Sequence, residues 1–164
     1  MMKLVDYIQC KKTIRNKRRP ILRTENRHKR MTIDLDCALE GVKMTMFIRQ
    51  LEEFPEDFTV GLKIDTPNPI ADFDIVLVRF QGPHGGQSLT KNMEGLHNNY
   101  HVHLYSENDL GCRRKKASLD SQQGNFNSLE EAICCFMAYC NIEDPNNIFA
   151  DEHTRSEQLR WEFQ

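Results

Sequence analysis

Apolar and polar residues alternate through the middle of this chain. Met31 to Cys37 reads Met-Thr-Ile-Asp-Leu-Asp-Cys, the period-two pattern of a strand with one buried face. Glu40-Gly41 marks a turn, and Val42 to Gln50 alternates again through Met44, Met46 and Ile48, which predicts a hairpin. Phe58 to Asp65 is a third strand, with Val60, Leu62 and Ile64 on one side. Phe73 to Phe80 is the most apolar stretch and predicts the central strand. Tyr100 to Ser106 is a fifth strand, and Gly111 to Leu119 a candidate sixth that pairs back on it.

The pattern changes near the C-terminus. Ser128-Leu129-Glu130-Glu131 has the form of a capping box, in which Ser128 accepts from the Glu131 amide and Glu131 reaches back. A helix to about Cys140 follows, with Leu129, Ile133, Phe136, Met137 and Cys140 on one stripe, and Asn141 is its stop. At the other end, Leu4, Tyr7, Ile8 and Ile14 recur near helical spacing, which predicts a helix from residue 1 to about 18, ended by Pro20. Residues 21–30 read as either a linker or an early strand. The fold class expected is α+β: an antiparallel sheet of five to six strands, one C-terminal helix packed on it, and a basic N-terminal helix or arm. The divisions expected are an arm at 1–30, a domain at 31–142 and a tail at 143–164.

Composition narrows the classes. The chain has 164 residues, 39% hydrophobic and 28% charged, enough for one domain with its own core. No apolar run approaches the roughly 20 residues of a membrane-spanning helix, and the first residues lack a signal peptide's apolar stretch, so the expected location is the cytoplasm. The six cysteines have neither zinc-ribbon nor disulfide-framework spacing and read as reduced core thiols. Charge is uneven. Residues 11–30 hold ten lysines and arginines against one acid, Glu25, whereas residues 31–164 hold eleven against twenty-two acids.

Two features carry candidate chemistry. The first is a histidine cluster: His84, His97, His101 and His103 lie within twenty residues. Strand alternation puts His101, His103 and Tyr105 on one face, expected to be accessible, with Tyr100, Val102 and Leu104 on the core side. Imidazoles exchange protons near neutral pH, so His84, His101, His103 and Tyr105 are candidates for acid/base cleavage of RNA. Arg113, Arg114, Lys115 and Lys116 are candidates to stabilise the phosphorane charge. The same histidines also fit a metal site, with His84 or Glu107 as third ligand, or ordinary half-exposed polar positions. Neither metal nor cofactor is expected on balance.

The second feature is the basic arm. Lys11, Lys12, Arg15, Lys17, Arg18 and Arg19 have the charge to bind nucleic acid by neutralising phosphates. Few aromatics interleave with them, so base stacking and sequence readout by the arm are not indicated. The alternative is a solvated segment that offsets the acidic body or docks on an acidic protein.

At Asp74 to Phe80, Gly82-Pro83-His84, Tyr100 to Glu107 and Phe136 to Ile142, the chain resembles a family of small bacterial proteins of unknown function. That family has a Gly-Pro-His loop, a His-x-His-x-Tyr strand and a closing helix ending Tyr-Cys-Asn-Ile. The likeness runs from about residue 31 to 142. More remotely the layout resembles TumE-type toxins, and that resemblance implies a toxin–antitoxin or phage-defence setting with a protein partner but no particular chemistry; the RNA target is read from the histidines and the basic arm. On that resemblance, His84, His101, His103 and Tyr105 would be the functional residues. A non-enzymatic binding module and a metal-dependent hydrolase remain the competing readings.

Overall fold

The computed structural model describes residues 2–84, 99–117 and 121–150. One large sheet organises them. Its strands are β1 (Lys12–Ile14), β2 (Arg23–Glu25), β3 (His28–Cys37), β4 (Met44–Leu51), β5 (Phe58–Ile64), β6 (Ile75–Gln81), β7 (His101–Leu104), β8 (Ser121–Gln123) and β9 (Ile142–Glu143). The order across the sheet is β8-β7-β6-β5-β4-β3-β1-β9, with β2 also on β3. Every named pair is antiparallel except β1 with β9. The described helices are α1 (Leu4–Gln9), α2 (Glu107–Gly111) and α3 (Leu129–Tyr139).

The α+β architecture, the antiparallel core and the closing helix are as the sequence predicts, but nine strands form where five to six were expected. The β3–β4 hairpin turns at Gly41, whose φ of +72° suits glycine. In β3, β4 and β5 the apolar alternates Met31, Ile33, Leu35, Met46, Ile48, Val60 and Leu62 are all buried. They face α1 and α3. Phe136 of α3 meets Phe80 of β6 edge-on at 5.3 Å, and Phe126 stacks on the same ring at 5.1 Å. Burying a side chain of this size contributes about 1.5–3 kcal/mol, and α3 buries Ala132, Ile133, Phe136 and Met137 together. Ser128 caps α3 by accepting from the Glu131 amide at 3.1 Å, while Glu131 bonds the Asn127 amide, one residue earlier than a standard box. Asn141 ends the helix at φ 52°.

Four expectations need correction. The N-terminal helix stops at Gln9 rather than near 18, because the chain enters the sheet as β1. The break expected after residue 30 falls inside β3, which starts at His28 and pairs there with β2, so part of the basic arm is sheet. The sixth strand expected from Gly111 to Leu119 is displaced: Ser106 and Asp109 cap each other's amides and start α2, and β8 takes the edge beside β7 instead. The tail expected at 143–164 begins inside β9 and buries Phe149; its remainder beyond 150, with Trp161, and most of the loop between β6 and β7, with His97, lie outside the described residues.

Candidate functional site

The sheet has a second face, opposite the helices. Register carries two lateral rows of side chains across it. One row runs Arg30, Arg49, Thr59, Gln81, His101, Gln123, and the next runs Thr32, Phe47, Gly61, Arg79, His103. Strand alternation therefore places His101, His103 and Tyr105 on one face, as the sequence predicts. That face is not open, however. His101 is 0% exposed, His103 3% and Tyr105 4%, whereas Val102 and Leu104 on the helix side are half-buried.

The chain after α2 crosses this face at Tyr105 and Arg79. Tyr105 donates its phenol to the Arg114 carbonyl at 2.7 Å, Arg79 donates to the Ala117 carbonyl at 3.0 Å, and Lys116 bridges to Val76 of β6. Burial also pushes the Tyr105 phenol above its ordinary pKa. A buried phenol bonded to a carbonyl is a fastening, which sets Tyr105 apart from the candidate acid/base groups.

The imidazoles form a file. His101 and His103 meet edge to face with centroids 4.9 Å apart, and His84 lies 5.0 Å from His101. His84 Nε2 is 3.3 Å from His101 Nε2, and His101 Nδ1 is 2.8 Å from the Asn99 carbonyl. A carbonyl only accepts, so His101 Nδ1 carries a proton, and one of the two facing Nε2 atoms of His84 and His101 donates to the other. Gly82 makes the approach of His84 possible. A Cβ there would collide with the Glu56 carbonyl, so only glycine lets the chain leave β6 so close to that loop.

His84 opens onto a cavity of about 620 Å³, whose wall also holds Arg49, Arg79, Lys116, Glu56 and Asp57. Arg79 stands directly across the β6–β7 ladder from His103. Its Nε–H is buried with no acceptor among the described residues, and burial lowers its pKa, opposed by the charge of Asp109. That acid is bonded to Ser106 and Arg114. A desolvated cation without an ion pair is costly, and an anion in the cavity would offset the cost. Arg49 bonds the His28 ring at 3.2 Å rather than a carboxylate. Asp57 is raised by burial, against the pull of Arg49 and His28, which favours its neutral form.

Most other cations expected at a nucleic-acid surface are engaged within the protein. Lys12 is 0% exposed and bonds the carbonyls of Ile8, Cys10 and Cys140, which removes it from phosphate contact. Lys11 pairs with Glu143, Arg15 with Asp36, Arg113 with Asp72 and Arg114 with Asp109. Arg19 lies over the Phe149 ring at 5.2 Å. Lys17, Arg18, Lys115 and Lys116 are exposed, and of these Lys116 alone lines the histidine cavity. Sequence reasoning missed Arg49 and Arg79. The signal for Arg79 was one charge inside the most apolar strand, a position that requires a partner.

Among the described residues no group of three or more His, Cys, Asp or Glu side chains converges to hold a metal ion, and no helix is long and apolar enough to cross a membrane. No protein-family model matches the chain, and no curated protein and no solved structure matches it either, so the resemblance over residues 31–142 rests on its own residues.

Proposed function

We propose that the protein binds RNA at the histidine cavity and cleaves it there without a metal. The observation that carries this reading is the half-buried guanidinium of Arg79, which bonds the Ala117 carbonyl but has no carboxylate partner among the described residues and leaves its Nε–H without an acceptor, beside three contacting imidazoles. Together they offer a positive charge for a phosphate and a proton acceptor next to it. His84 is the group that reaches the cavity. It would take the proton of a ribose 2′-hydroxyl as that oxygen forms its bond to phosphorus. The bond to the 5′ oxygen breaks, and that oxygen takes a proton from water. The hydroxide so formed is neutralised by the proton on His84. The products are a 2′,3′-cyclic phosphate and a 5′-hydroxyl. His101, anchored on the Asn99 carbonyl, is a positioning residue that holds the His84 ring. Arg79, Arg49 and Lys116 offset the charge that grows on the phosphorane.

The setting we propose is a cytoplasmic toxin or phage-defence effector restrained by a protein partner. Its support is the resemblance to small bacterial proteins and TumE-type toxins.

The test is incubation of the purified protein with labelled single-stranded RNA in chelator. Cyclic-phosphate ends should appear, and His84→Gln should slow the reaction by about 100-fold or more while RNA affinity holds. Intact RNA, or wild-type cleavage by His84→Gln, would remove the catalytic reading.

A second reading is a non-enzymatic binding module. The full burial of His101 and His103 favours it, since buried imidazoles also serve structure. It predicts salt-sensitive RNA binding with no turnover.

A further inference from the structure

We propose that Phe47 is a nucleobase-stacking subsite for single-stranded RNA, next to the histidine cavity. The choice of RNA as ligand rests on the reading above.

Phe47 is out of place on its face. Its neighbours in the two lateral rows are mostly charged or polar, and its ring takes no part in the hydrophobic core that gathers most of the half-buried apolar residues. The ring is only half-buried. Its outer edge sits over Gly61 of β5, where a Cβ would run into it. Gly61 thus serves as a seat for the ring, and the ring's remaining surface lines a hollow of about 290 Å³. A ring backed by the sheet, with its free side toward a hollow, is a stacking platform. Every base has a π face, so such a platform accepts any of them.

Charge around the ring identifies the ligand. Arg30, Arg49 and Lys63 share the hollow with Phe47. Lys63 is held by Asp65 at 2.6 Å and by Asp74 at 3.5 Å, and Arg30 pairs with Glu25 at 3.6 Å. Arg49 bonds a histidine ring instead, so its charge is available to a phosphate. Arg49 lines both this hollow and the cavity that holds His84 and Arg79. A strand with a base on Phe47 would lay its phosphate over Arg49 and continue toward His84. Duplex RNA keeps its bases stacked on each other and cannot offer one to the ring.

The experiment is anisotropy titration of the full chain with labelled 2′-O-methyl strands, which cannot undergo the cleavage proposed above. One strand carries bases, and a second of equal length and charge is abasic. The wild type should bind the base-bearing strand roughly tenfold or more tighter. Phe47→Leu should lose that ratio while still binding both strands through Arg49, and Phe47→Tyr should keep it. Equal affinity of the wild type for both strands, no binding of either, or an intact ratio in Phe47→Leu would overturn the subsite. Turnover is not read in this assay. RNA cleavage without the ratio would sink the subsite alone, and the ratio without cleavage would sink the catalytic reading alone.

Discussion

The Lys12 ammonium donates to the Cys140 carbonyl at 2.9 Å, joining residues 128 apart in sequence. It donates to the Ile8 and Cys10 carbonyls as well, so one buried cation closes the C-terminal ends of both α1 and α3. These are carbonyls with no onward helical partner, at the negative ends of the helices. Lys12→Met should lower unfolding free energy by about 2–4 kcal/mol, because three acceptors, in two buried bonds and one part-buried, lose a charged donor. Urea denaturation measures this. RNA affinity of the folded variant should be unchanged, and a large drop would mean that Lys12 reaches phosphate after all.

Tyr105 makes a parallel case on the other face. Its hydroxyl bonds the Arg114 carbonyl, so Tyr105→Phe should cost about 1 kcal/mol of stability with RNA cleavage retained at near the wild-type rate. A hundredfold loss of cleavage in a folded Tyr105→Phe protein would return the phenol to the chemistry.

Gly61 and Phe47 should be energetically coupled. A side chain at Gly61 collides with the Phe47 ring, so Gly61→Ala should cost about 1–3 kcal/mol by overpacking. The same substitution made in a Phe47→Ala background should cost clearly less. Chemical denaturation of the four proteins closes the cycle, and additive costs would show that the ring does not sit on the glycine.

Asp74 sets an acid-sensitive contribution. Its carboxylate accepts from the Thr66 amide at 2.8 Å and the Thr66 hydroxyl at 2.9 Å, and these bonds, with Lys63 nearby, hold its pKa below the ordinary 3.8. The folded state therefore binds this proton less readily than the unfolded one. The stabilisation is complete above the unfolded value and disappears as pH falls through the folded value. Asp74→Ala should lower the melting temperature at pH 7, and the gap to wild type should close as the pH drops below about 4. Thermal melts from pH 7 to 2 test this, and a gap that does not change with pH would assign the loss to packing alone.

Long alternating stretches were legible because each carries its own evidence. β3, β4 and β5 each show several apolar residues at period two, and α3 brings a serine cap and a complete apolar stripe. β1, β2 and β9 have two or three residues each, too few for a period to register. Their pairing depends on partners far along the chain, as when Lys12 lies beside both Cys37 and Ile142. Residues 107–111 were hidden for a different reason. The reciprocal caps of Ser106 and Asp109 form one short turn of helix with no apolar stripe to announce it.

At the candidate site, local order and long-range order part company. Alternation along the chain determined that His101, His103 and Tyr105 share a face, since the pleat turns successive side chains to opposite sides whatever surrounds them. Which face would be covered was decided only by tertiary structure, because residues 114–117 return over Tyr105 and Arg79 and the register of β6 sets Arg79 against His103. Burial is a property of what else arrives at a surface, and no window of sequence holds that information. For the same reason the sequence determined a run of positive charges at 11–30, while folding decided that Lys12 is a buried clasp and that the cavity takes its cations from Arg49, Arg79 and Lys116.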